Sequence, residues 1–205
     1  MSIAQRAKSL RASRNTASIR TFPPSATVKC EGPAIFRSQA ARDAACLFDL
    51  NPSITSWHCM PQALDFGHGV HIPDFGITDR YETRTLIDAS DRILPVETPA
   101  LQDAAAENGY RYRRLIADEV YDGPFLENAR DLLRYGNSVL ALGDRLRVMG
   151  VLEEEGSLTV KDCLAIFTET KPIAGLAQLI LHGFVEIDLD SELLGPQTTV
   201  RRVSR

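Results

Sequence analysis

Long hydrophobic runs are missing from this 205-residue sequence. Its apolar stretches are a few residues long, far short of the roughly 18 that a membrane-spanning helix needs. The N-terminal region also lacks the apolar core of a secretory leader. Together these absences predict a cytoplasmic protein. Cysteine is sparse: Cys30, Cys46, Cys59 and Cys163 lie far apart with no Cys-x-x-Cys pair. That spacing excludes a disulfide framework and predicts reduced, mostly buried thiols. Gly67-His68-Gly69 lacks the following helix and the wider glycine spacing of a phosphate loop. No Ser/His/Asp order suggests a hydrolase triad, and no internal repeat or low-complexity tract is visible. What is present is ordinary, with 44% hydrophobic residues, 24% charged residues, 13 Gly and 11 Pro. Such a composition suits one medium globular domain or two small ones and excludes collagen-like, coiled-coil and wholly disordered chains.

Acid is absent from residues 1–30, which carry Arg6, Lys8, Arg11, Arg14, Arg20 and Lys29. The rest of the chain holds 17 basic and 27 acidic side chains, so a basic arm precedes an acidic body. That asymmetry suits a polyanionic ligand, while a solvated, flexible N-terminus is the bland alternative. The arm is polar, rich in small residues and closed by Pro23-Pro24, which predicts that it orders only against the body or a ligand.

Ala41, Ala44, Ala45, Leu47 and Phe48 fall at helical spacing and predict a helix over 38–50, ended by Asn51-Pro52. Short runs enriched in β-branched and aromatic residues follow (ITSWHCM, QALDF, GVHIPDFGIT, TRTLIDAS), separated by Gly, Pro and Asp turns. They predict three or four consecutive, mostly antiparallel strands. A helix over 99–108, a strand over 110–117 and an amphipathic helix over 125–135 complete an α/β domain spanning 31–137. Beyond Gly136-Asn137, three helices are expected: one over 138–149, one capped by Thr159, and one from Pro172 to Gly183. Two strands, FVEIDL and TTVRRVS, then close a winged-helix pattern over 138–205.

The richest chemistry lies in VHIPDFGITDRYETRTLIDAS. A strand carrying Pro73-Asp74, a turn, and an apolar strand ending in Asp88 place two carboxylates at neighbouring strand ends. Such a pair can hold magnesium or manganese, which activates water and stabilises charge on a scissile phosphate. A turn aspartate and a strand-capping aspartate are the ordinary structural alternative. A rival zinc set, His58, Cys59, His68 and His71, has suitable ligand types, but His58 and Cys59 are adjacent and point to opposite faces of a strand. Cys163 reads as core packing.

The order PAIFRSQAARDAACLFDLNPSI, SWHCMPQAL, HIPDFGI, TLIDAS, NGYRYRRLIADEV and LENARDLLRYGN resembles the TnsA-like transposon endonucleases, over about residues 34 to 137. The resemblance implies a restriction-endonuclease-like domain of the PD-(D/E)xK type, a mixed sheet flanked by helices, and is extended by the trailing winged helix. It also implies cleavage of DNA at a transposon end beside a transposase. Within that pattern Asp74 takes the place of the metal-binding acid and Asp88 that of the second acid. The expected lysine is Ser90, the helix glutamate falls on Ala41 after Phe36 and Ser38, and the glutamine before the second strand falls on Met60. A serine hydroxyl brings no charge to the attacking water or to phosphorus, so these losses imply a degenerate, inactive site. Arg92, Lys29, Arg37 and Arg42 are the basic residues near enough in sequence to substitute.

Candidate DNA contacts are Arg6, Lys8, Arg11, Arg14 and Arg20 in the arm and Arg111, Arg113 and Arg114 on the strand. Arg130, Arg134, Arg201, Arg202 and Arg205 are further candidates, and a solvated face is the alternative for each cluster. The helix over 171–182 offers only Lys171, Gln178 and His182 as polar readers, a poor set for sequence recognition. The expected function is DNA binding without robust cleavage, in a mobile-element or phage-related setting. An active metal-dependent endonuclease using Asp74 and Asp88, and a non-catalytic adaptor or transcriptional regulator, are the alternatives.

Overall fold

Capping chemistry marks where the first helices begin. In the computed structural model, which describes residues 2–203, the Ser2 hydroxyl accepts from Gln5 N–H at 3.3 Å and that of Ser38 from Ala41 N–H at 3.2 Å. These caps open α1 (Ile3–Ser18) and α2 (Gln39–Leu50). The strands that follow are β1 (Ile54–Cys59), the two-residue pair β2 (Leu64–Asp65) and β3 (Val70–His71), β4 (Phe75–Asp79) and β5 (Arg84–Asp88). Helix α3 (Thr98–Ala106) then leads to β6 (Arg111–Arg114) and the single turn α4 (Asp118–Tyr121). The chain divides into two units, one holding Met1–Pro23 and Lys29–Val120, the other Pro24–Val28 and Tyr121–Arg205.

In the first unit the sheet order is β1-β4-β5-β6. The pairs β1/β4 and β4/β5 are antiparallel, and β5/β6 is parallel because α3 carries the chain across between them. This is a mixed sheet flanked by helices. Its core is aromatic: Phe36, Phe48, Trp57 and Phe75 meet with ring centroids 5.2 to 6.4 Å apart. The small residues Ala41, Ala44 and Ala45 are buried on α2. Burial of each large apolar side chain contributes about 1.5–3 kcal/mol. The Trp57 indole donates to buried Asp49 Oδ1 at 2.8 Å, which satisfies its one polar atom.

Two expectations change here. The run GVHIPDFGIT is not one strand, because proline cannot donate to a ladder; Pro73 and Asp74 break it into β3 and β4. The N-terminal arm, expected as a flexible segment that orders only against the body or a ligand, is helical from Ile3 to Ser18 and packs on the body. Ala, Leu, Arg and Lys are strong helix formers, and the buried Ala17 packs with Met60 and Ile72, joined by Leu10, Ile35, Ala63 and Val70.

The second unit contains α5 (Phe125–Leu133), α6 (Leu142–Glu155), β7 (Ser157–Thr159), α7 (Val160–Ala165), α8 (Pro172–Leu181), β8 (Val185–Ile187) and β9 (Thr199–Arg202). Its sheet has the order β7-β9-β8, so β7 adds a third strand to the expected ribbon. Thr159 caps α7 as anticipated, accepting from Asp162 N–H at 3.1 Å. Helix α6 starts later and runs further than expected, through the glutamates to Gly156. Helix α5 belongs to this unit, so the division falls after Val120 rather than at 137. The reason is packing: Leu126, Ala129, Leu132 and Leu133 are buried, and Gln178 of α8 donates to the Tyr135 carbonyl at 2.6 Å. Helix α8 is buried from Ala174 through Leu181. The expected C-terminal Ser204 and Arg205 lie outside the described residues.

Asp144 organises the turn after α7. Its carboxylate accepts from the backbone N–H groups of Thr168 (2.9 Å), Glu169 (3.1 Å) and Thr170 (2.5 Å), and from Arg147 at 2.6 Å. Burial alone would raise its pKa, but these donors hold it well below the usual carboxylate range. Its stabilising effect is therefore complete above the unfolded value of about 3.9 and is lost as pH falls through the lower folded value. Asp144→Asn is expected to lower the thermal midpoint at pH 7. The gap to wild type should narrow as pH drops below about 4, as measured by calorimetry at several pH values.

Candidate functional site

Pairing of β4 with β5 decides where the two acids sit. Phe75 stands opposite Ile87 in the antiparallel register, so the residues one step beyond, Asp74 and Asp88, converge at the same sheet end. The Asp74 N–H donates to Asp88 Oδ1 at 3.1 Å, and the Ala89 N–H donates to Asp74 Oδ2 at 3.0 Å. Both side chains are buried, at 3% and 0% exposure. Gly76 permits the approach of β1 here, since a Cβ on it would meet the His58 ring at 2.9 Å.

Cationic and hydroxyl donors occupy the remaining carboxylate oxygens. Arg37 reaches Asp74 twice, Nε to Oδ1 at 3.1 Å and Nη2 to Oδ2 at 3.2 Å, and its other edge pairs with Asp91. Arg92 lies 3.5 Å from Asp74 Oδ1 and 3.8 Å from Asp88 Oδ1, and donates to the Ile72 carbonyl at 3.0 Å. His71 Nε2 and the Tyr112 hydroxyl both contact Asp88 Oδ2, at 2.5 and 2.6 Å. Burial pushes Asp88 towards protonation, but the bonds from His71 and Tyr112 and the charge of Arg92 outweigh it, so its pKa lies below the ordinary value. Burial and the bond to Asp88 raise the pKa of Tyr112. Burial lowers the Arg37 pKa, and the bonds to Asp91 and Asp74 more than reverse that effect, which fixes the guanidinium in its charged form.

Backbone strain supports the same corner. Met60, at the position where the resemblance expects glutamine, has φ 47°, in the left-handed region that costs a non-glycine residue free energy. Its N–H donates to the Asp74 carbonyl at 2.9 Å, and its own carbonyl accepts from Arg14 at 2.7 and 3.2 Å.

The pair Asp74 and Asp88 is thus brought together as expected, but its surroundings do not fit a magnesium or manganese ion. All four carboxylate oxygens face N–H or O–H donors, and two guanidinium groups already lie against the two acids. A cation would have to displace Arg37 or Arg92. Ala41 is core, 1% exposed on α2, and supplies no third acid. Ser90 offers its carbonyl to Arg114 Nη2 at 2.5 Å. Among the described residues no group of three His, Cys, Asp or Glu side chains is arranged to hold a metal. The zinc set is dispersed: His71 is on Asp88, His58 packs at Gly76, His68 is exposed in the β2–β3 turn, and Cys59 is buried beside Cys30.

Most of the basic candidates serve the protein itself. Arg6 pairs with Asp65 at 3.2 Å, Arg113 with Glu119 at 2.8 Å, and Arg20 Nη1 donates to the Arg37 carbonyl at 3.5 Å. Arg14 and Arg114 are held by the carbonyls named above, and Arg111 lies in the field of Asp79. Lys8 and Arg11 are exposed and make no ion pair among the described residues. Of the other basic residues near the site, Arg42 lies over the Phe36 ring and Lys29 Nζ donates to the Asn51 carbonyl. The partners His71 and Tyr112 were not anticipated. A buried tyrosine needs a partner for its hydroxyl, but nothing within YRYRR marks Tyr112 as the buried one. No protein-family model and no curated protein matches the chain.

Removing one partner of a buried ion pair leaves an uncompensated charge. Arg37→Ala is expected to cost about 3 kcal/mol of stability. Urea unfolding followed through the fluorescence of Trp57, the single tryptophan, measures it. Arg37→Ala combined with Asp74→Asn should recover part of the loss.

Proposed function

We propose that this is a DNA-binding protein in which a restriction-endonuclease-like unit of the TnsA-like kind, followed by a winged-helix unit, has exchanged its metal for arginine and holds DNA without cutting it. The observation that carries this is the Asp74–Asp88 pair: two acids at adjacent strand ends, where the resemblance requires them, neutralised by Arg37 and Arg92. Cleavage needs a cation or lysine free to position water and to meet charge developing at phosphorus. Arg37, locked onto Asp74 and Asp91, provides neither function, and Arg92, tethered to the Ile72 carbonyl between the two acids, stands where a metal would sit. An active endonuclease built on Asp74 and Asp88 is correspondingly disfavoured.

DNA affinity in this account is electrostatic rather than sequence-reading. Lys8 and Arg11 on the exposed side of α1 are cations of the N-terminal segment that make no ion pair among the described residues. In the second unit, Gln178 of α8 is 4% exposed and spends its amide on Tyr135, which removes it as a base reader. The burial of α8 removes that helix as a groove reader; docking of a protein partner of the transposase type is the role that the adaptor alternative gives to that unit.

Two measurements test the proposal. Supercoiled plasmid incubated with magnesium or manganese should stay intact, whereas nicking that disappears in Asp74→Ala would refute it. Binding of hydroxyl-ended duplex DNA should weaken steeply with salt. The Lys8→Ala/Arg11→Ala variant should reduce the log–log salt slope by about 2, because each cation placed on a phosphate displaces close to one counterion. Because α1 contributes to the core, point variants are more informative than deletion of the segment.

A further inference from the structure

We infer that the cavity beside the arginine pair is a binding site for a phosphate monoester. The cavity has a volume of about 400 Å³ and is walled by α1 (Ala12, Ser13, Thr16, Ala17), Met60, Ile72 and three guanidinium groups, Arg20, Arg37 and Arg92. This volume lies within the range of roughly 300–1,000 Å³ that small-ligand sites occupy. None of the lining residues is acidic. The carboxylates that balance Arg37 and Arg92 lie behind them: Asp74 and Asp88 are buried, and Asp91 is outside the wall.

Donor capacity separates the three arginines. A guanidinium has five N–H donors. Arg37 spends its donors on Asp74 and Asp91. Arg92 makes a single hydrogen bond, to the Ile72 carbonyl, and Arg20 a single long one, to the Arg37 carbonyl. Arg20 and Arg92 therefore retain most of their forks, the geometry suited to bidentate recognition of phosphate oxygens. Ser13 and Thr16 sit one helical turn apart on the facing wall. Their hydroxyls bond only within α1 or not at all among the described residues: Thr16 donates to the Ala12 carbonyl at 3.0 Å and keeps its acceptor and orientation freedom. The apolar Ala12, Ala17, Met60 and Ile72 surfaces suit the organic part of the ester. A phosphate monoester carries close to two negative charges at neutral pH, which matches two forks better than a diester's single charge does.

Such a group comes either from a free nucleotide or from the 5′-phosphate of a nucleic-acid strand. The site does not depend on duplex binding, since none of its lining residues is among the two cations assigned to that role. Calorimetric titration of the full chain with adenosine 5′-monophosphate, a 5′-phosphorylated oligothymidylate and its hydroxyl-ended counterpart tests it. Saturable binding of the nucleotide alone would identify a free nucleotide site. Binding of the phosphorylated strand over the hydroxyl-ended one would identify a strand-end site, and either result supports the proposal. Arg20→Ala should weaken the phosphate-dependent binding by about tenfold or more, the factor equivalent to roughly 1.4 kcal/mol. The urea midpoint should stay unchanged, because Arg20 is exposed and makes one long bond. Thr16→Val gives a second, milder perturbation of the same wall. Absence of phosphate-dependent binding at millimolar concentrations, or binding indifferent to both substitutions, would overturn the proposal.

Discussion

Two carboxylates buried against one another are the constraint around which the first unit is built. Asp74 and Asp88 share a hydrogen-bonded corner at 3% and 0% exposure, and unaided their charges would repel. Arg37 and Arg92 supply the opposing charge, while His71 and Tyr112 fill the remaining acceptor sites of Asp88. A metal ion would perform the same neutralisation and leave an open coordination position for water. Arg37 performs it with directed hydrogen bonds and Arg92 with its nearby charge, which fixes the corner in place.

The sequence made the meeting of the two acids legible because Pro73-Asp74 and Asp88 flank strands with clear alternation, and a tight turn forces such strands to pair. It also showed that Ala41 and Ser90 bring no charge to the corner, since that follows from residue identity alone. It did not reveal the partners. Arg37 and Arg92 are separated from Asp74 by 37 and 18 positions, and nothing local tells which of several nearby cations turns inward. Tyr112 reaches Asp88 only because β6 lies parallel to β5, a pairing set by the α3 crossover and not by any pattern within YRYRR. His71 looked like a metal ligand because histidine's hydrogen-bonding and coordinating roles share one side chain.

The N-terminus differs from its expected form for a related reason. Its composition is that of a solvated arm, with weak amphipathicity and no large apolar face. What holds α1 is a small contact, Ala17 and Leu10 against Met60 and Ile72, together with Arg14 on the Met60 carbonyl and Arg6 on Asp65. Several cations that looked available for DNA are consequently structural, while Lys8 and Arg11 on the outer side of the helix make no ion pair among the described residues. In the second unit the same holds for α8: nearly every position is apolar, which is the pattern of a helix enclosed by its neighbours rather than one laid in a groove.

Manganese titration followed by electron paramagnetic resonance addresses the proposed exchange of metal for arginine most directly. Wild-type protein should leave the free-ion signal undiminished through millimolar manganese, and Arg37→Ala/Arg92→Ala, if folded, should acquire a site that Asp74→Asn removes. Stoichiometric manganese binding by the wild-type chain, abolished by Asp74→Asn, would contradict the account.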